Sequence, residues 1–280
     1  MNKIVNKFYN QAVSEDVESL FNLALSLNDK INSLKNNDES LWGIIAQKLK
    51  IDWTYHSNSI EGSTLTLGET LFFLKEGLTV EGKPFKDFLD AKNHAEAIDY
   101  LYQIISNNRE ISESVIKEIN ALLLSGVTYT IAQNSQGDPV KKKLTAGEYK
   151  KQPNHVLQTD GVIHRYVDPL AVKDQMEELV SWINTGFGQL NPLYIASVGH
   201  YNLVRIHPFD DGNGRGARIF MNLILIKSGF FPAVIRTEKK RFYLDALSEA
   251  DKGNLMPFVR FITSELIETY EKVIRDLEQG

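Results

Sequence analysis

The stretch HPFDDGNGRGAR, residues 207–218, gathers a histidine, two aspartates, a Gly-Asn-Gly turn and two closely spaced arginines. Gly212 and Gly214 open backbone conformations closed to other residues and let the chain approach a ligand closely. If the next helix starts near Asn213, its first N–H groups have no intrahelical partners. Together with the helix dipole they form an anion site. Arg215 and Arg218, at i and i+3, reach the same side of that helix start. Two guanidinium forks over such a site suit a di- or triphosphate better than a single carboxylate. A carboxylate beside bound phosphates commonly holds Mg²⁺, and either Asp210 or Asp211 can supply it. His207 is the one group in the stretch with an ordinary pKa near neutrality, which makes it the candidate general base. Phe209 is expected to point into the core and pin the loop. In the competing reading His207 caps a helix and the arginines pair with Asp210 and Asp211. That explains each residue singly but not the whole set. The turn is not a Walker loop, since no Gly-Lys-Ser/Thr follows, and no strand-helix-strand unit surrounds it as a dinucleotide fingerprint requires.

Such a loop needs rigid walls. NPLYIASVGHYNLVRI, residues 191–206, opens with an Asn cap and a Pro in the first turn. ARIFMNLILIKSG, residues 217–229, is apolar on nearly every face, as in a helix buried on all sides. The loop therefore joins two central helices. Around them the spacing predicts a helix with Val17, Leu20, Phe21, Leu23 and Leu27 near one face. Another is expected from about Glu39 to His56, with Leu41, Ile44, Ile45 and Leu49 inward. Thr66 and Glu69 stand at capping-box spacing before a helix that stops at Gly77. Further helices are expected over 85–106, 112–125 and 168–185, and an amphipathic one at the C-terminal end. NHVLQTDGVIHRYV reads as two short extended runs joined by Asp-Gly, a hairpin carrying Val156, Leu157, Val162 and Ile163. One hairpin cannot build a sheet core, so it is expected to be a surface flap. The fold class that follows is all-α: a helical bundle around two central helices, with one β-hairpin flap.

The composition narrows the function. A net charge of -5 is a poor basis for sequence-independent nucleic-acid binding, and the basic run Lys141–Lys143 reads as a short exposed turn. With no cysteine, thiolate zinc sites and cysteine nucleophiles are excluded. The N-terminus lacks the apolar run of a signal peptide and nothing later is long enough to span a membrane, so the expected location is cytoplasmic.

HPFDDGNGRGAR resembles the Fic-domain signature, His-x-Phe-x-Asp/Glu-Gly-Asn-Gly-Arg-x-x-Arg, at every specified position. The resemblance also runs through LTAGEYKKQ, the hairpin, HYNLVRIHPF and RFYLDALSEADKGN, roughly residues 40–265. It implies a Fic fold, with residues 1–90 an N-terminal helical region and 91–280 a catalytic core, packed as one unit. It implies transfer of AMP from ATP to a Ser, Thr or Tyr hydroxyl of a target protein, with Mg²⁺ as cofactor and pyrophosphate leaving. On this resemblance His207 deprotonates the hydroxyl and Asp211 holds Mg²⁺. Gly212, Asn213, Gly214 and Arg215 form the anion cradle, Arg218 takes the terminal phosphate, and Tyr243 lines the adenine pocket. The flap clamps the target backbone as an added strand. Gly214, where the phosphotransferase branch usually has Lys, favours nucleotidyl over phosphoryl transfer. The chain departs from the family's usual pattern at Lys150, commonly Arg, and at HRYVDP.

HSNSIEGSTLT, residues 56–66, supplies a second motif. Ser57 and Glu61 share a helix face, and Gly62 is a natural stop. A carboxylate near a helix C-terminus opposes the dipole, and a cationic partner offsets that. The stretch resembles the Fic inhibitory motif, Ser/Thr-x-x-x-Glu-Gly/Asn. By resemblance Glu61 pairs with Arg218 and displaces the γ-phosphate, which makes the chain an autoinhibited transferase. Two alternatives stand beside it. Glu61 can orient a water that removes AMP, giving a de-AMPylase or a bifunctional enzyme, or the chain can be a nucleotide-binding regulatory module without turnover. The expected partners are a protein target, the chain itself as substrate, and a second copy in a homodimer, with no nucleic acid and no membrane.

Overall fold

The computed structural model describes residues 6–35, 39–133, 138–157 and 163–279. In chain order the helices are α1 (Glu15–Lys35), α2 (Glu39–Ile60), α3 (Leu67–Glu76), α4 (Phe85–Ser106) and α5 (Glu113–Leu123). Two antiparallel ribbons follow, β1 (Tyr129–Gln133) with β2 (Pro139–Lys143), and β3 (Val156–Leu157) with β4 (Ile163–His164). Then come α6 (Pro169–Gly186), α7 (Pro192–Ile206), α8 (Asn213–Lys227), a 3₁₀ turn (Thr237–Lys239), α9 (Lys240–Asp251) and α10 (Met256–Gln279).

The all-α reading holds, and α7 and α8 are its centre. Leu193 to Leu203 are buried on every face of α7, and Ile219 to Leu225 on every face of α8. Asn191 caps α7 through Leu193 N–H at 2.9 Å, with Pro192 in the first turn. The two helices approach closely because Gly199 has no side chain: a Cβ there would lie 3.1 Å from Ile224 Cδ1 and 3.3 Å from Ile183 Cδ1. One hydrophobic cluster then draws on α1, α2, α4, α5, α6, α9 and α10 around that pair. The capping box at Thr66 and Glu69 is formed, and α3 ends on Gly77 in the left-handed region (φ 73°).

Three expectations change. First, α2 runs one turn past His56, to Ile60. Asn58 donates to the Thr54 carbonyl at 2.9 Å, and Thr54, Ser57 and Asn58 are all buried, so tertiary packing overrides weak helix formers. Second, the described residues form two ribbons rather than one. Lys141–Lys143 is not a turn but lies within β2, paired in register with Tyr129–Ile131. Its lysines sit on an open edge, where charge discourages pairing with other chains. Third, Leu23 and Ile44 are 45% and 64% exposed, while Ala24 and Ile31 take the inward places on α1. Val162 and the expected Asp-Gly turn lie outside the described residues.

Gly199→Val would overpack the α7–α8 contact, and a loss of about 1–3 kcal/mol is expected. Urea midpoints followed by circular dichroism check it, with the helical signal retained below the transition.

Candidate active site

The loop between α7 and α8 turns on a strained residue. His207 ends α7 in the left-handed region (φ 49°, ψ 59°), unusual for a residue with a side chain and more so before a proline. Such a conformation costs about 1–3 kcal/mol and persists only where its surroundings fix it. Here they do. Asn213 closes the loop on itself, accepting from Phe209 N at 2.9 Å and donating to Phe209 O at 2.9 Å. Lys150 N donates to Pro208 O at 2.8 Å, and Asn120 Nδ2 donates to Asp211 O at 2.9 Å. Phe209 is buried beneath, beside Tyr149. The His207 ring stacks on Tyr166, centroids 3.8 Å apart and planes within 12°. Burial, with Lys150 and His164 adding to it, holds its pKa down to about 3. The imidazole is therefore neutral at pH 7.

Gly212 supplies the other turn (φ 75°) and α8 begins at Asn213, so the first N–H groups of that helix face the loop. A cavity of about 370 Å³ opens in front of them. His207, Asp210, Asp211, Gly212, Asn213, Gly214, Arg215, Glu61 and Gly62 all line it. The two aspartates have different surroundings. Asp210 is bound to Lys142 of β2 at 2.7 Å and is 12% exposed. Asp211 is 31% exposed, accepts from the adjacent Gly212 N–H at 2.5 Å and has Arg215 3.9 Å away. A single partly exposed carboxylate fits Mg²⁺, which keeps most of its waters and shares phosphate oxygens. No cluster of three acidic, histidine or cysteine side chains suited to a metal occurs among the described residues.

The arginines separate. Arg215, 4% exposed, pairs with Asp90 of α4 at 2.7 Å and lies 3.9 Å from Asp211. Arg218, equally buried, turns to the end of α2. Its Nε donates to Ser57 Oγ at 3.0 Å, and Nη2 donates to the Ser57 carbonyl at 2.8 Å and to Glu61 Oε1 at 2.7 Å. Burial opposes ionisation of Glu61, but Arg218 outweighs it, with Arg215 and Lys240 further off, and its carboxyl sits below the usual range. The Glu61 carboxylate lies directly over Gly214, where any Cβ would collide with it.

Tyr243 does not line the cavity. It is 3% exposed, its hydroxyl meets His200 Nε2 at 3.2 Å, and it packs on Phe258 and Phe261 behind Arg218. Val156 and Ile163 are exposed on the second ribbon, where Leu157 pairs with Ile163. Sequence reasoning missed Asp90, Lys142, Asn154 and Tyr166. Asp90 had a readable signal, since Asp87, Asp90 and His94 repeat at i, i+3 and i+7 on one buried face of α4.

The residues of the loop match the Fic/DOC family model over 110–225. The fold matches a Fic-domain-containing signalling protein from Bacteroides thetaiotaomicron, 30% identical, with a TM-score of 0.81 over 92% of this chain and 97% of that one. This chain belongs to the Fic/DOC family. Fic-1 from Caenorhabditis elegans is 27% identical, with a TM-score of 0.79 over 94% of this chain and 73% of that one. Among curated relatives, protein adenylyltransferase fic-1 of Caenorhabditis briggsae is 31% identical over 79% of this chain and 41% of its own length. Protein adenylyltransferase Fic of Nematostella vectensis is 33% identical over 77% and 47%. The chain thus spans less than half the length of these two relatives.

Three buried histidines couple this region to pH. His200 and His207 are held near pKa 3, and His94 well below its ordinary value, burial being the main cause and nearby cations adding to it. Each is neutral when folded and takes up a proton near pH 6.5 when unfolded. Their stabilisation is complete above that pH and is lost as pH falls toward 3, at about 1.4 kcal/mol per pH unit for each histidine. Urea midpoints between pH 7 and 5 are expected to fall steeply, and His200→Gln to flatten the slope by about one proton's share.

Proposed function

We propose that this chain is a protein adenylyltransferase that moves AMP from ATP to a hydroxyl of a protein, and that it is held back by Glu61. The observation that carries this reading is the convergence of His207, Asp211 and the start of α8 on one cavity, with Glu61 across the same space. His207 takes the proton of a Ser, Thr or Tyr hydroxyl, whose oxygen attacks the α-phosphorus of ATP, and pyrophosphate leaves. The N–H groups of Asn213 to Arg215 take up phosphate charge, the Gly212 N–H being held by Asp211, and Arg215 is aimed by Asp90. Asp211 would hold Mg²⁺, which would neutralise charge on the phosphates. Arg218 is the cation assigned to the terminal phosphate, and Glu61 now occupies it. Residues 1–90 bring the inhibitory helix end to the catalytic core of 91–280.

The target is a protein, met at the second ribbon through the open edges at Val156 and Ile163, with this chain itself as one candidate substrate. Absence of cysteine fits a reducing cytoplasm, and no described helix is long and apolar enough to cross a membrane.

Removal of AMP is a second reading, favoured by one feature. The Glu61 side chain is 43% exposed and lines the cavity that His207 lines, so it can orient a water there.

Mass spectrometry after incubation with ATP and Mg²⁺ checks the first reading. Glu61→Gly is expected to gain AMP at least tenfold faster than wild type, on itself or on lysate proteins, and Glu61→Gly with His207→Ala to gain none. Equal labelling by wild type and Glu61→Gly would sink the inhibitory role of Glu61. Loss of AMP from a pre-labelled target, requiring Glu61, would favour removal instead.

A further inference from the structure

The His207 ring is held by more than stacking. Its Nδ1 lies 2.7 Å from Asn154 Nδ2 and 3.2 Å from Asn213 Nδ2. Neither carboxamide can turn its oxygen to the ring without loss. Asn213 is fixed at both ends by the Phe209 backbone. Asn154 donates from Nδ2 to Phe209 O at 2.8 Å and accepts at Oδ1 from Lys150 Nζ at 2.8 Å. Rotating Asn154 would set its oxygen against a carbonyl and its NH₂ against an ammonium. Lys150 cannot follow, being 3% exposed, tied by its backbone to Pro208 and reaching Ile206 O at 3.4 Å. Two N–H donors aimed at one ring nitrogen leave no room for a hydrogen on it. Nδ1 is therefore the acceptor, and the ring hydrogen sits on Nε2.

We propose that Asn154, locked by Lys150 and the closer of the two donors on Nδ1, is a positioning residue that, with Asn213 behind it, keeps His207 in the Nε2–H form, so that base action requires these donors to yield Nδ1, Asn154 first. This rests on the reading of His207 as the base of adenylyl transfer. The transferred hydroxyl proton must go to a lone pair on Nε2, and that lone pair exists only when the ring hydrogen is on Nδ1. The charged and titratable groups around the ring are Lys150, His164 and Tyr166, with Glu61, Asp210 and Asp211 across the cavity. Asn154 stands two residues before β3, so a target strand laid on that edge acts on the backbone that carries the lock.

Nitrogen-15 spectra of histidine-labelled Glu61→Gly protein read the tautomer without ATP, with His207→Gln assigning the resonance. A pyridine-type Nδ1 and a pyrrole-type Nε2 are expected. Asn154→Asp sets a carboxylate acceptor against Nδ1. The pattern should then reverse, and AMP labelling at neutral pH should rise several-fold in the same background. Asn154→Ala removes a donor without adding an acceptor and should give a mixture on an intact fold. A pyrrole-type Nδ1 in the parent, or a pattern that Asn154→Asp leaves unchanged, overturns the proposal. Expected tautomers with no labelling by any variant would uphold the role of Asn154 and count against adenylyl transfer.

Discussion

A buried guanidinium must be answered by oxygen atoms, and the arrangement around Arg218 follows from that need. At 2% exposure it sits where water cannot solvate it, between α8 and the end of α2. Ser57 offers its hydroxyl and its carbonyl, and Glu61 offers a full negative charge. Removing the carboxylate leaves the buried guanidinium without its counter-charge, which is unfavourable even though Glu61 itself is partly open to solvent. A phosphate in place of the carboxylate satisfies the same guanidinium. If Arg218 takes the terminal phosphate as proposed, the site has two well-satisfied arrangements and a poor one between them, which is the requirement for a switch.

The rest of the loop is fixed from outside by contacts of the same kind. Asp90 holds Arg215, Lys142 holds Asp210, Asn120 holds the Asp211 carbonyl, and Lys150 holds Pro208. Each comes from a different element: α4, β2, α5 and the segment before the second ribbon. Donors fixed before substrate arrives need no reorganisation during reaction, and this is where most electrostatic catalysis originates. The left-handed His207 is affordable only inside that frame.

The parts of this design that were legible in the sequence are those written in local pattern. The unbroken apolar faces of α7 and α8, the Asn191 cap, the Thr66–Glu69 box and the glycine turn at Gly212 each state their structure within a few residues. Glu61 was legible as a carboxylate misplaced at a helix end, and the structure places Arg218 against it. The last turn of α2 was not, because Ser57 and Asn58 are weak helix formers held by packing from elsewhere. The first ribbon hid its strand character behind a run of lysines. Asn154 and Lys150 carry no periodicity, and their meaning lies in bonds to residues more than fifty positions away. Tyr243, an adenine-pocket residue by resemblance, packs into the core beside His200, a setting no local pattern announces.

Glu61 and Arg218 stand 157 residues apart on one chain. The carboxylate is thus a tethered ligand, whose effective concentration is set by the fold rather than by how much protein is present. Dilution cannot remove it, and on the proposed reading a nucleotide would meet the full site only in the fraction of molecules whose helix end has moved away. Its apparent affinity would be the intrinsic one scaled by that fraction. Whatever stabilises or loosens the last turn of α2 would then act on nucleotide affinity without touching a single phosphate contact.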